Sequence, residues 1–122
     1  MLFAGAKPEF GAQPTPTAKV ATATLTIAEL LTGIITVTSA VAVSLTLPTG
    51  TLSDAGVAAP ALPVNGCFEW IVINLGTVSG AVTLVAGTAD TIVGGVGVAI
   101  GTSARLRTRK TAANTFVTYR IG

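Results

Sequence analysis

Short segments of alternating apolar and polar residues fill most of this chain from Lys19 onward. Threonine, valine, isoleucine and alanine dominate these segments, and β-branched residues in such short runs favour strands. Glycine, proline or asparagine separates one segment from the next, which is typical of turns. The pattern predicts strands in the sequences KVATATLTI, IITVT, VAVSLTL, CFEWIVINL, AVTLVAG, TIVGG, SARLRTRK and TFVTYRIG.

The sequence CFEWIVINL, residues 67–75, gives the clearest prediction of core residues. Phe68, Trp70 and Val72 share one face of such a strand, and isoleucine and leucine dominate the other face. Two apolar faces indicate a central strand that is covered on both sides. Cys67, at the start of the strand, is expected to be a small buried hydrophobe.

Helical signals are confined to two short stretches. The sequence TIAELLTG contains a capping box, with Thr26 at the N-cap and Glu29 three residues later. A second turn can begin near Asp54, but Gly56 and Pro60 end it soon afterwards. At most one or two short helical turns are therefore expected, and no helix is long enough to cross a sheet.

These patterns predict an all-β fold, an antiparallel β-sandwich or barrel of jelly-roll-like type. We find no strict internal repeat of the kind that indicates a solenoid. The predicted β-sandwich or barrel domain spans residues 19–122.

Residues 1–18 have a different composition, rich in proline and glycine and without periodicity. Because proline fixes the backbone and removes amide donors, this segment is expected to be an extended N-terminal arm. Phe3 and Phe10 are its large apolar residues and its candidate partner-binding residues. The alternative is a loose terminus without a partner. If the arm binds a partner, its removal should leave the β domain folded and weaken attachment.

The composition raises the question of a membrane, because 50% of the residues are hydrophobic, only 10% are charged, and the mean hydropathy is +0.75. A membrane-spanning helix needs about 20 consecutive apolar residues. The most apolar stretch, IITVTSAVAVSLTL, is interrupted by serine and threonine, so no membrane segment is expected. A surface so poor in charge instead indicates that copies of the chain associate. The N-terminus does not resemble a signal peptide, and synthesis in the cytoplasm is expected.

Residues for catalysis or metal binding are sparse. The chain has no histidine, its five acidic residues are scattered, and its single cysteine has no evident activating neighbour. The glycine-rich sequence GGVGVAIG lacks the following helix and the later acidic residue of a dinucleotide site. The sequence therefore predicts a protein that is not an enzyme and that needs no cofactor or metal.

The positive charge is concentrated near the C-terminus, in the sequence ARLRTRK. In a strand, Arg105, Arg107 and Arg109 share one face, and we expect this face to contact acidic groups on another chain. A solvated surface is the alternative. Tyr119 is expected to point to the core, which leaves the arginines without the interleaved aromatics of a nucleic-acid platform. Glu69 needs a cationic partner, for which an arginine of the C-terminal hairpin is the candidate.

Three stretches together resemble small virion proteins of tailed bacteriophages: TLTIAELLTGIITVTSAVAVSLTLPTG, GCFEWIVINLGTVSGAVTLVAGTADTIVGG and GTSARLRTRKTAANTFVTYRIG. The resemblance covers roughly residues 22–122 and is nearest to capsid decoration, or cement, proteins. It implies a β-rich homotrimer that binds the major capsid protein on the outside of the virion head and stabilises the shell. It identifies no binding residue. A head-fibre or tail adhesion module that binds a host-surface ligand is the alternative. A nucleic-acid-binding β-barrel is a third possibility, although no nucleic-acid partner is expected.

Overall fold

The computed structural model describes residues 11–57 and 61–122. Within those residues the chain forms ten strands and two short helices, so the predicted β-rich fold is confirmed. The strands are β1 (Thr17–Lys19), β2 (Ala23–Thr24), β3 (Ile34–Val37), β4 (Val43–Thr46), β5 (Cys67–Asn74), β6 (Val82–Val85), β7 (Asp90–Val93), β8 (Gly97–Val98), β9 (Ser103–Ala112) and β10 (Thr115–Arg120). The helices are α1 (Ile27–Leu30) and α2 (Gly50–Gly56).

The strands form two mixed sheets. The six-stranded sheet has the order β1-β3-β5-β9-β10-β7, and the four-stranded sheet has the order β2-β4-β6-β8. Parallel pairing joins β1 to β3 to β5, β2 to β4 to β6, and β7 to β10. Antiparallel pairing joins β5 to β9 to β10 and β6 to β8. Neither sheet closes on itself in the described part of the chain, so the predicted barrel is wrong.

The chain alternates between the two sheets from β1 to β9. The first six strands therefore make three turns of a coil, each with one strand in either sheet. A parallel pair needs a crossover connection, and here a strand of the opposite sheet supplies it instead of a helix. The predicted antiparallel arrangement is wrong for this reason, since the lack of long helices does not exclude parallel pairing. The turns start at residues 17, 34 and 67, and this unequal spacing produces no sequence repeat.

The first predicted strand, KVATATLTI, is divided between the sheets as β1 and β2. The predicted arm lies outside the described residues over 1–10, including Phe3 and Phe10. Further along, Gln13 donates a side-chain hydrogen bond to the carbonyl of Thr32, and β1 pairs with β3.

Side chains from both sheets form one hydrophobic cluster. The alternation of side chains along the strands builds this cluster, because every second residue is buried in β3, β4 and β6, from Trp70 onward in β5, and from Ala104 to Thr108 in β9. Trp70 and Val72 lie in this cluster, and Phe68 packs against it, as predicted. The predicted burial of Cys67 is wrong, because its position on β5 faces outward.

The helix α1 begins at its predicted cap, whereas α2 begins at Gly50 after an N-cap at Thr49, earlier than the start predicted near Asp54. Thr26 accepts a hydrogen bond from the backbone N–H of Glu29, and the Glu29 carboxylate accepts one from the N–H of Thr26, so the predicted capping box is confirmed. In α2, Asp54 accepts hydrogen bonds from Lys110 Nζ at 2.8 Å and from the N–H of Asn114 at 2.8 Å. These bonds attach α2 to the turn between β9 and β10.

A chain of buried hydrogen bonds crosses the inner face of the six-stranded sheet. Trp70 Nε1 donates to Thr108 Oγ1 at 3.0 Å, and Thr118 Oγ1 donates to Asp90 Oδ1 at 3.0 Å. The two threonine hydroxyls are 2.9 Å apart. Each hydroxyl has only one proton, so Thr108 must be the donor to Thr118. These hydrogen bonds therefore all point in one direction, from Trp70 on β5 to Asp90 on β7.

Asp90 ends this chain as a fully buried carboxyl, with 0% relative exposure. Its Oδ2 has no hydrogen-bond partner among the described residues. Burial raises the pKa of Asp90 to about 6, although the hydrogen bond from Thr118 acts in the opposite direction. The protonated form suits this site better because an ionised carboxylate loses its hydration there.

We predict that Asp90→Asn removes a pH dependence of stability between about pH 4 and pH 6. The folded protein binds this proton more tightly than the unfolded chain, whose ordinary pKa is 3.8. Stability from this group is therefore complete below that value and falls as the pH rises through about 6. The pKa difference corresponds to about 3 kcal/mol. Urea unfolding from pH 3 to pH 8 measures the free energy of unfolding of both proteins.

Asp54→Asn is a control of opposite sign. The hydrogen bond from Lys110, supported by the N–H of Asn114, holds the pKa of Asp54 below its ordinary value. Its contribution is present above the unfolded pKa and is lost as the pH falls through the folded pKa. The prediction would be contradicted if the free energy of unfolding had the same pH dependence in the wild type and in Asp90→Asn from pH 3 to pH 8.

Candidate partner-binding face

Strand β9 carries Arg105, Arg107 and Arg109 on the outer face of the six-stranded sheet. Between them Ala104, Leu106 and Thr108 are fully buried, which fixes the inner face. We call the surface formed by the three arginines and Glu69 the arginine face.

Glu69 joins two of the arginines. It lies directly opposite Arg107 in the pairing of β5 with β9. Arg107 Nε donates to Glu69 Oε1 at 3.1 Å, its Nη2 donates to the same oxygen, and Arg105 Nη2 donates to Oε2 at 3.2 Å. The structure thus gives Glu69 the arginine partners that its position on a strand requires. The hydrogen bond from Arg107, with a second from Arg105, holds the pKa of Glu69 below its ordinary value.

Arg109 has a different environment from the other two arginines. Its Nε and Nη2 donate to the hydroxyl oxygen of Tyr119 at 3.1 and 2.6 Å, and its Nη1 donates to Asn65 Oδ1 at 2.8 Å. The guanidinium carbon lies 5.6 Å from the centre of the Tyr119 ring, within range of a cation–π interaction. Arg109 is therefore fixed by neutral groups.

Tyr119 lies on the arginine face, so its predicted orientation toward the core is wrong. The cause is a β-bulge in the hairpin of β9 and β10. Thr115 pairs with Ala112, but the next pair is Phe116 with Lys110, which leaves Thr111 as an extra residue. A shift of one residue moves every later side chain of β10 to the other face.

Beside these arginines the outer face forms an open groove of about 530 Å³. Cys67 of β5, Arg107 and Arg109 of β9, and Tyr119 of β10 contribute to it, together with residues 93, 94, 120 and 121. Arg105 is not among its lining residues. Arg120 occupies the register position opposite Leu106, and its guanidinium binds the carbonyls of Gly95 and Gly97. We call this cavity the arginine groove.

As far as the described residues show, the opposite side of the protein is uncharged. The outward positions of the four-stranded sheet follow from their pairing with one another and carry threonine, serine, valine and glycine: Thr24, Ser44, Thr46, Thr83, Val85 and Gly97. Charge is therefore separated between the two outer sheet faces.

One end of the coil is also uncharged. The loops 20–22, 38–42 and 75–81 follow β1, β3 and β5, and the last two are joined by a hydrogen bond from Ser79 Oγ to the carbonyl of Ala40 at 2.6 Å. Three valines in these loops are 67–81% exposed: Val20, Val41 and Val78. We call these three segments the loop end.

The arginines of the arginine face are candidate partner-binding residues that the sequence predicts. Tyr119 and Asn65, which hold Arg109 in place, are not predicted from the sequence. Phe3 and Phe10 lie outside the described residues, and their role stays a prediction. Among the residues the structure describes, no group of three or more cysteine or acidic side chains is arranged to hold a metal ion. No helix in this part of the chain has the length and apolar character to span a membrane.

Comparison of the chain with protein-family models, curated proteins and solved structures finds no match.

Proposed function

We propose that this chain is a non-enzymatic structural protein of a tailed-phage virion, a capsid decoration protein. In this proposal it binds the outer surface of the head as a homotrimer and stabilises the shell. The observation that carries the proposal is the separation of charge. One outer sheet face holds the arginines, whereas the other outer face and the loop end carry no charged residue of the described ranges 11–57 and 61–122.

Two surfaces of different character suit a protein with two kinds of contact. The arginine face would contact acidic groups of the major capsid protein, and the uncharged loop end would contact other copies of the chain. Exposed apolar side chains that lie close together favour association with another protein surface. Many copies on one shell can each bind modestly and still act together through multivalency.

The proposal includes a sandwich arrangement of the two sheets and an extended N-terminal arm, which ends where β1 begins at Thr17, two residues before the predicted boundary. The single hydrophobic cluster shared by both sheets supports the sandwich. In this scheme Phe3 and Phe10 add contacts across the shell. A head-fibre or tail module remains the alternative function, and copy number separates the two, because a shell protein is far more abundant in a particle.

Purified phage particles from a culture that produces this protein provide the direct test. Mass spectrometry should detect the chain in many copies per particle, and cryo-electron microscopy should show density on the head that fits the fold. Absence of the chain from purified particles, or its confinement to a fibre, would overturn the assignment.

We predict that the isolated protein is a homotrimer, with a mass three times the 12.1 kDa of the chain in light scattering at micromolar concentration. Val78→Asp in the loop end should dissociate it, because a buried unpaired carboxylate is costly. Leu52→Asp on α2 is the matched control, since Leu52 is also exposed but lies outside the loop end. A monomeric wild type, or equal dissociation by both substitutions, would argue against trimer contacts at the loop end.

We also predict that replacing Arg105, Arg107 and Arg109 together by glutamine lowers affinity for the capsid. The far-UV circular dichroism spectrum should not change, because these side chains lie outside the core. Single exposed ion pairs contribute little, so the triple variant is the informative one. Wild-type binding should weaken as salt rises, since exposed charges are screened. Normal capsid binding by the variant at low and high salt would show that the arginine face is only a solvated surface.

A further inference from the structure

Two cations that line the arginine groove, Arg109 and Arg120, have no acidic partner among the described residues. Lys19 pairs with Glu29, Lys110 pairs with Asp54, and Arg105 and Arg107 share Glu69. Asp90, the remaining acid among the described residues, is buried. Arg109 is therefore a guanidinium without a carboxylate partner among residues 11–57 and 61–122, and it lines the groove.

Arg109 is held in place before any ligand arrives. Tyr119 and Asn65 accept three of its five N–H groups, which leaves one N–H on each terminal nitrogen. An arginine fixed by neutral acceptors keeps its charge and loses little side-chain freedom on binding an anion.

Tyr119 supplies a further donor. Its hydroxyl oxygen already accepts two N–H groups from Arg109, and its own proton has no acceptor among the described residues. Hydrogen bonds from a cation polarise the hydroxyl and strengthen its donation. The groove thus offers both guanidinium and hydroxyl donors to an oxyanion.

Two exposed apolar side chains also line the groove. Val93 of β7 is 52% exposed, Ile121 after β10 is 43% exposed, and both line the groove. The volume of about 530 Å³ falls within the usual range of about 300–1,000 Å³ for ligand pockets. A ligand that contacts both the hydrogen-bond donors and the apolar side chains carries a carboxylate next to an apolar group.

We propose that the arginine groove binds a segment of a partner protein in which glutamate or aspartate lies beside an aliphatic side chain. The inference rests on the proposed function, in which that partner is the major capsid protein, and it deepens it by naming the recognised chemistry. Charge complementarity favours an acidic segment. The apolar side chains of Val93 and Ile121 favour a peptide over a nucleic acid. Tyr119 is the single aromatic residue of the groove, whereas nucleic-acid platforms stack successive bases on several.

Nuclear magnetic resonance of the isolated full chain tests the proposal. The probe is an acetylated, amidated pentapeptide with glutamate between two leucines, and its counterpart has glutamine at the centre. The acidic peptide should shift the Nε–Hε signal of Arg109 and the ring signals of Tyr119, with saturation at millimolar concentration. The glutamine peptide should leave both signals in place.

Matched variants locate the binding. Arg109→Gln should weaken the apparent affinity about tenfold, the effect expected when one hydrogen-bonded charge is removed. Tyr119→Phe should also weaken it, through loss of the hydroxyl donor. Lys19→Gln removes one positive charge from β1, outside both the arginine face and the groove, so it should change the affinity less than twofold. The backbone spectrum of each variant reports whether it is folded.

Three outcomes would overturn the proposal: no saturable shift with the acidic peptide, equal binding of the glutamine peptide, or equal weakening by Lys19→Gln and Arg109→Gln. Tighter binding of inorganic phosphate or of a thymidine oligonucleotide would also overturn it, in favour of a general anion site. These results are independent of the particle experiments. If the protein is found on capsids but does not bind the peptide, only the groove proposal is wrong. If it binds the peptide but is absent from particles, only the proposed capsid role is wrong.

Discussion

The pairing of β5 with β9 is the constraint on which the rest of the structure depends. It joins the parallel coil of the first strands to the antiparallel hairpin at the C-terminus. Trp70 lies opposite Leu106 inside, and one residue earlier Glu69 lies opposite Arg107 outside. Because adjacent residues of a strand face opposite sides, one register fixes both the packing of the core and the ion pairs of the arginine face.

The bulge at Thr111 has an equally large effect on the surface. Without the extra residue, Arg109 would lie opposite Thr118, and Tyr119 would turn inward. The bulge instead places Thr118 inside, where it joins the hydrogen-bonded chain to Asp90, and Tyr119 outside, where it holds Arg109. A single inserted residue therefore creates both the buried polar chain and the arginine groove.

Local features of this fold could be predicted from the sequence, whereas the pairing of distant strands could not. Alternation placed Trp70 and Val72 inside, and the residue types at Thr26 and Glu29 predicted the capping box, because each signal lies within a few neighbouring residues. The parallel coil depends on which sheet each strand joins, and no local pattern encodes that choice.

The same limit applies to the candidate site. Alternation predicts that the three arginines of β9 share a face. The orientation of Tyr119 depends on a bulge in the neighbouring strand, and the apolar type of residues 117, 119 and 121 favours the opposite face. The partner Asn65 comes from a loop 44 residues away from Arg109, so only the folded structure brings it there.

Within the proposed function, the distribution of the acidic residues favours different partners for the two exposed surfaces. Each acid on the described surface is already paired with a cation of its own chain, and Asp90 is inside the protein. A second copy that met the first through the arginine face would bring arginines together with no spare carboxylate among the described residues to separate them, and like charges in contact oppose association. The loop end has no such repulsion. Contacts between copies therefore fit the loop end, and the arginine face is left for a partner that brings its own carboxylates.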